Sequence, residues 1–130
     1  MIAVDTSTWI AFLGGEGGPD AEVLDRALAE KQVLMAPAVL TELLSDPKLP
    51  AEVAEMLCLL PLIEVENGYW QRAGELRAKV LARSRRARLG DALIAQSCLD
   101  RNAPLLTRDA DFRAFAEIAG LDIVMRTKAE

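Results

Sequence analysis

The chain has no histidine and only two cysteines. This removes the side chains most used for acid–base catalysis near neutral pH and for nitrogen or sulfur ligation of zinc. Cys58 in AEMLCLL and Cys98 in ALIAQSCL lie in apolar helical patterns. They read as reduced, buried thiols rather than a disulfide or a metal site. Aromatic residues are scarce, at 5%, so the core must be built from Leu, Ala, Val and Ile. Trp9, Phe12 and Trp70 are expected in the core or at an interface rather than as base-stacking platforms. No apolar stretch approaches the ~20 residues needed to cross a bilayer. MIAVD is too short and too quickly charged for a signal peptide, so the chain reads as cytoplasmic, with no membrane association.

What is present points to one globular domain over residues 1–130, with 52% hydrophobic residues to fill its core. The net charge of −5, from 20 acidic and 15 basic residues, disfavours indiscriminate nucleic-acid binding. The distribution is more informative than the sum. Basic residues bunch at Lys79, Arg83, Arg85, Arg86 and Arg88, and this run leads straight to Asp91.

Hydrophobic periodicity and breakers predict alternating strands and helices. Strands are expected at 2–5 (IAVD), 33–36 (VLMA), 62–65 (LIEV), 104–107 (PLLT) and 122–125 (DIVM). Helices are expected at 6–13 behind a Thr/Ser cap, from Pro19 to about Lys31, from Pro37 to about Ser45, and at 51–60. Three more follow at 67–86, 91–102 and 109–119, the last stopped by Gly120. RTKAE at 126–130 reads as a frayed tail. The alternation implies a three-layer α/β/α domain on a parallel sheet of about five strands, with right-handed crossovers.

Asp5 and Asp109 then close two predicted strands, and Glu42 and Asp91 lie near the starts of two helices. Asp111 stands two residues beyond Asp109. Ligands of open α/β sheets bind outside the carboxyl ends of the strands. Taken singly, Asp5, Asp91 and Asp109 could each be a helix cap. Glu42 lies between apolar neighbours on a helix expected to be largely buried, where an acid needs a partner or a metal. Taken together, the carboxylates would repel one another without a cation among them. An all-oxygen donor set suits Mg²⁺ or Mn²⁺. Thr6, Ser7, Thr41 and Thr107 sit beside the acids and are candidate hydrogen-bond donors to them; Thr107 has the alternative of a simple strand-end turn residue.

DTSTWI, TELL, GDALIA and LLTRDADF, in that order, resemble the four acidic motifs of PIN-domain ribonucleases, and more narrowly those of VapC-type toxins of toxin–antitoxin pairs. The resemblance runs from Met1 to about Met125. It implies that Asp5 and Asp91 hold Mg²⁺ or Mn²⁺, and that Glu42 positions the metal or the attacking water. Asp109 is implied as the fourth acid, with Asp111 able to substitute for it or support it. The implied reaction is metal-dependent endonucleolytic hydrolysis of RNA, with a small cognate antitoxin and a homodimeric assembly. One ion or two remains open at this level. RSRRAR at 83–88 is either a solvated helix end or a phosphate-backbone contact through Arg83, Arg85, Arg86 and Arg88, and its adjacency to Asp91 favours the contact. Arg108 and Arg113 flank the fourth acid and are further candidates to face the substrate.

Rival readings fit less well. A haloacid-dehalogenase-type phosphotransferase needs a second Asp two residues beyond the first, where this chain has Ser7. A receiver-type signalling module needs an Asp at the end of the third strand, which here reads LIEVENG. A catalytically silent PIN-like module that only binds RNA or a partner would keep the fold while the acids did no chemistry.

Overall fold

The computed structural model describes residues 1–124. The expected tail at 126–130, and Met125 of the expected fifth strand, lie outside the described residues. In chain order the elements are β1 (Ile2–Val4), α1 (Thr6–Leu13), α2 (Pro19–Ala29), β2 (Val33–Leu34), α3 (Pro37–Leu44) and α4 (Ala51–Leu59). Then come α5 (Tyr69–Ala82), α6 (Leu89–Arg101), β3 (Leu105–Leu106), a 3-10 turn (Ala110–Phe112) and α7 (Arg113–Ala119).

The sheet is parallel, in the order β2-β1-β3. Ile2 pairs with Val33 and Ala3 with Leu34 on one side. Ala3 pairs with Leu105 and Val4 with Leu106 on the other. Ala3, Val4, Leu105 and Leu106 are all fully buried. Successive strand residues point to opposite faces, so both faces of the sheet are covered, as the three-layer expectation requires. The PIN-like α/β class is as the sequence implied.

Among the described residues the expected five strands are corrected to three, each flank carrying one isolated parallel bridge, Met35 to Leu62 and Leu105 to Ile123. At the first flank the Met35 amide donates to the Pro61 carbonyl and the Ile63 amide to the Met35 carbonyl, both in the 2.8–2.9 Å range. Proline at 61 cannot donate, and the exposed Glu64–Glu66 stretch leaves the sheet. Among the described residues five chain segments therefore lie side by side, and the central three alone pair over more than one residue.

Helix boundaries follow local chemistry. Pro19 and Pro37 open α2 and α3, where a missing amide proton costs nothing. Asp5, rather than a Thr or Ser, occupies the N-cap position of α1. The long basic helix expected at 67–86 stops at Ala82, and Ser84 takes a left-handed φ of 58°. The arginine run therefore lies on the irregular chain between α5 and α6, from the C-cap Arg83 to the N-cap Arg88, rather than within the last turns of a long helix. Asn102 and Gly120, both left-handed, close α6 and α7.

Trp9, Leu24, Val39, Ile94, Phe112 and Phe115 fill the core. Cys98 is buried, as expected, but Cys58 is exposed on α4. Its neighbour Leu57, not Cys58, carries the buried stripe of that helix. Trp70 is also exposed, whereas Trp9 is buried and packs edge-on against Phe12. Among the described residues, no helix is long and apolar enough to cross a membrane.

Candidate active site

β1 and β3 are adjacent and parallel, so their carboxyl ends deliver Asp5 and Thr107–Asp109 to the same edge of the sheet. Asp5 is buried, and its Oδ2 accepts from Ser7 Oγ at 2.6 Å and from Thr107 Oγ1 at 2.9 Å. Burial pushes the Asp5 carboxyl above its ordinary value, and the two hydroxyls counter only part of that rise. Thr107 also accepts from the Asp109 amide at 3.0 Å. It is therefore a joint between two acids rather than a turn residue alone. Asp109 caps the 3-10 turn, its Oδ1 accepting from the Asp111 amide at 2.9 Å.

Asp91 lies in the first turn of α6, where the helix dipole favours an anion. Burial nevertheless pushes its carboxyl up to about 6 against the pull of the Arg88 guanidinium, and the charges of Asp5 and Asp109 add to the rise. One carboxylate oxygen from each of Asp91, Asp109 and Asp111 lies within 4.8 Å of the others. Both residues of the DAD pair thus join the cluster. Asp5 stands beside this triple, close enough for its charge to be felt at Asp91.

Glu42 sits on an exposed position of α3, whose buried stripe is only Val39 and Leu43. The expectation of a largely buried helix is corrected, but Glu42 does have the partner that reasoning required. Its Oε1 accepts from the Thr6 hydroxyl. Its Oε2 lies so near Gly90 that a Cβ there would stand 3.0 Å away. Gly90 immediately precedes Asp91, so Glu42 reaches the same helix start. Thr41 takes no part: its hydroxyl turns back onto the Pro37 carbonyl at 3.2 Å.

The expected basic residues separate into distinct roles. Arg88 enters the acidic cluster: its Nε donates to Asp91 Oδ2 at 3.2 Å, and its Nη2 to Asp109 Oδ2 at 2.9 Å and Asp111 Oδ2 at 3.2 Å. Arg86 lies 3.8 Å from Asp111. Arg85 pairs with Glu117 on α7 at 2.6 Å. Arg83 is exposed. Arg108 turns away from the cluster, giving Nε and Nη2 to Asp20 at 2.8 and 2.9 Å and Nη1 to Glu16 at 3.0 Å. It fastens the glycine-rich α1–α2 connection, because buried Asp20 also accepts from Thr8 at 2.9 Å.

Several of these features carry no sequence signal beyond position in a motif. Gly90 is one. The Arg108–Asp20 pair, 88 residues apart, is another. A groove beside Glu42, lined by Ile10, Leu13, Leu43, Leu49 and Pro50, is a third.

The donors in this site are hard carboxylate oxygens, brought together at the sheet edge with hydroxyls holding Asp5 and Glu42 in place. That set fits Mg²⁺ or Mn²⁺. Thiol chemistry does not compete: burial, with the Asp5 charge adding to it, pushes the Cys98 thiol up to about 12.

A model of the PIN domain family matches residues 2–118. The chain belongs to the PIN-domain family. Ribonuclease VapC11 of Mycobacterium tuberculosis is 29% identical over 128 residues, spanning 93% of this chain and 96% of that protein. Ribonuclease VapC5 of the same organism is 29% identical over 127 residues, spanning 93% and 92%. Among solved structures, VapBC2 from Rickettsia felis, bound to a DNA fragment from its promoter, superposes with a TM-score of 0.72 at 22% identity, covering 95% of this chain and 97% of that one. The fold is therefore that of PIN-domain proteins, with its acidic motifs gathered at one sheet edge.

Proposed function

We propose that the protein is an Mg²⁺- or Mn²⁺-dependent endoribonuclease, the toxin of a toxin–antitoxin pair. The observation that carries this reading is the convergence of Asp91, Asp109 and Asp111 within 4.8 Å, beside buried Asp5, at the carboxyl edge of a parallel sheet. The curated relatives named VapC ribonucleases, matched over nearly their whole length, support the choice of RNA. The solved VapBC assembly supports a small cognate antitoxin as partner. A homodimer and residence in the cytoplasm follow from the same reading.

In this reading Asp5, Asp91, Asp109 and Asp111 hold the ion. An ion held there would supply Lewis-acid polarisation of a phosphoryl oxygen and activation of water. Asp5 is fixed by Ser7 and Thr107, so it need not reorganise as charge develops. Glu42, held by Thr6 and accommodated by Gly90, is placed to orient the attacking water and accept its proton. Arg86 and Arg88 stand at the cluster, and with exposed Arg83 further along the run they would contact the RNA backbone without reading sequence. Arg108 is assigned to the scaffold, since its donors are taken by Asp20 and Glu16.

The test is incubation of the purified chain with a mixed RNA pool, with Mn²⁺ or with EDTA, beside Asp91→Asn. Discrete fragments that require both the metal and Asp91 are the expected result. Wild type and Asp91→Asn behaving alike would refute the assignment.

A further inference from the structure

Arg88 places a cation of the chain's own among the acids assigned to the metal. Its three hydrogen bonds fall on Oδ2 of Asp91, Asp109 and Asp111. These are the same three side chains whose oxygens lie within 4.8 Å of one another. We propose that Arg88 is an internal competitor of the divalent ion: its guanidinium and the metal are alternative occupants of the Asp91–Asp109–Asp111 cluster, and loading the metal swings Arg88 out towards the substrate. The inference rests on the reading of this cluster as a metal centre.

The electrostatics require a choice. A divalent ion sits ~2.1 Å from its oxygen ligands. A guanidinium bonded to those same oxygens would stand only a few ångströms from it, and two cations at that distance repel strongly. Asp109 has little to spare, since its Oδ1 already accepts from the Asp111 amide while its Oδ2 is held by Arg88.

The backbone makes the exchange easy. Arg88 is the N-cap residue of α6, in extended conformation, so its side chain turns without disturbing the helix. The side chain is 59% exposed, and release transfers it into water it already touches. Arg85 lacks this freedom because Glu117 holds it. A released Arg88 remains beside Asp91 at the rim, where a phosphate of the RNA backbone would replace the lost carboxylates. Loading the metal then also supplies a cation for the substrate.

The experiment titrates Mn²⁺ into the full-length protein, without RNA, and follows free Mn²⁺ by electron paramagnetic resonance. Wild type is compared with Arg88→Gln, Arg88→Lys and Arg85→Gln, each checked for folding by circular dichroism. Arg88→Gln is expected to tighten Mn²⁺ binding roughly three- to tenfold, a modest factor because the pairs broken are partly exposed. Arg88→Lys should lie between, retaining charge without the fork that spans three carboxylates. It carries the test by itself if the Gln variant does not fold. Arg85→Gln, which removes an equal charge from the same run but whose partner is Glu117 on α7 rather than the cluster, should stay close to wild type. Equal affinity in wild type and Arg88→Gln, or equal tightening in Arg85→Gln, would overturn the competition while leaving the metal centre intact. No Mn²⁺ binding by any of the proteins would overturn the metal-centre reading, and this inference with it.

Discussion

The Thr107 hydroxyl donates to Asp5 Oδ2 at 2.9 Å and accepts from the Asp109 amide at 3.0 Å. One side chain thereby locks the ends of two parallel strands together and sets the spacing of two acids separated by most of the chain. Thr107→Val keeps the shape but removes both bonds, leaving the buried Asp5 Oδ2 with Ser7 as its remaining hydroxyl partner. The expected cost is about 1–3 kcal/mol of stability, together with a loss of cleavage. Thr107→Ser should retain most of both. Urea denaturation and a cleavage assay on the two variants check this.

Asp91 and Asp5 destabilise the metal-free protein at neutral pH, and the sign follows from linkage. Asp91 has a folded pKa of about 6, raised from an ordinary value of 3.8. Between those values the folded state binds more protons than the unfolded one, so stability falls as pH rises. The contribution is fully present below the ordinary carboxylate value and is lost as pH passes through about 6. Buried Asp5, also raised, acts in the same direction. In EDTA, Asp91→Asn should therefore raise stability at pH 7–8, by roughly 2 kcal/mol at most. That gain should vanish near pH 4. Thermal melts across this range check it.

Gly90 tests the placement of Glu42. Alanine there improves helix propensity by about 0.5–1 kcal/mol. Its Cβ would meet Glu42 Oε2 at 3.0 Å, so the glutamate must give way by a few tenths of an ångström, which disturbs the carboxylate that Thr6 holds. Gly90→Ala is expected to melt no lower than wild type yet to cleave RNA more slowly. Simultaneous measurement of melting temperature and kcat separates this from a general loss of structure.

Two arginines near the fourth motif should behave in opposite ways. Arg108→Ala leaves buried Asp20 with Thr8 as its remaining side-chain partner and should cost on the order of 2 kcal/mol of stability. It should not change the salt dependence of RNA binding. Arg86→Gln should leave stability nearly unchanged and reduce the slope of log K against log salt by about 0.7–1. A series of binding isotherms at several salt concentrations checks both.

Much of the site was legible because its chemistry coincides with element ends. Asp5 follows an apolar run, LLTRD ends another, and Gly120 and the prolines mark the helix limits. Parallel strands bring their carboxyl ends together whatever fills the sequence between them, so the meeting of Asp5 and Asp109 could be expected from alternation alone. LIEV and DIVM have strand composition, but among the described residues each pairs at a single residue; composition does not report how long a segment stays beside its neighbour. Arg108 and Arg88 show a second limit. Both stand next to site acids in sequence, yet Arg108 turns to Asp20 and Arg88 turns inward to three aspartates. The choice depends on which carboxylates the fold brings within reach, and for Arg108 the partner comes from the distant α2 helix start. Cys58 is exposed because the tertiary contact of α4 uses Leu57, which helical spacing alone does not select.

The most direct measurement is anomalous diffraction at the manganese edge from crystals soaked in MnCl₂. The account predicts a peak bounded by Asp91, Asp109 and Asp111 and reached by Asp5, with the Arg88 side chain turned away from the three carboxylates. A fully soaked crystal with no peak there, and with Arg88 still bridging the aspartates, would contradict it.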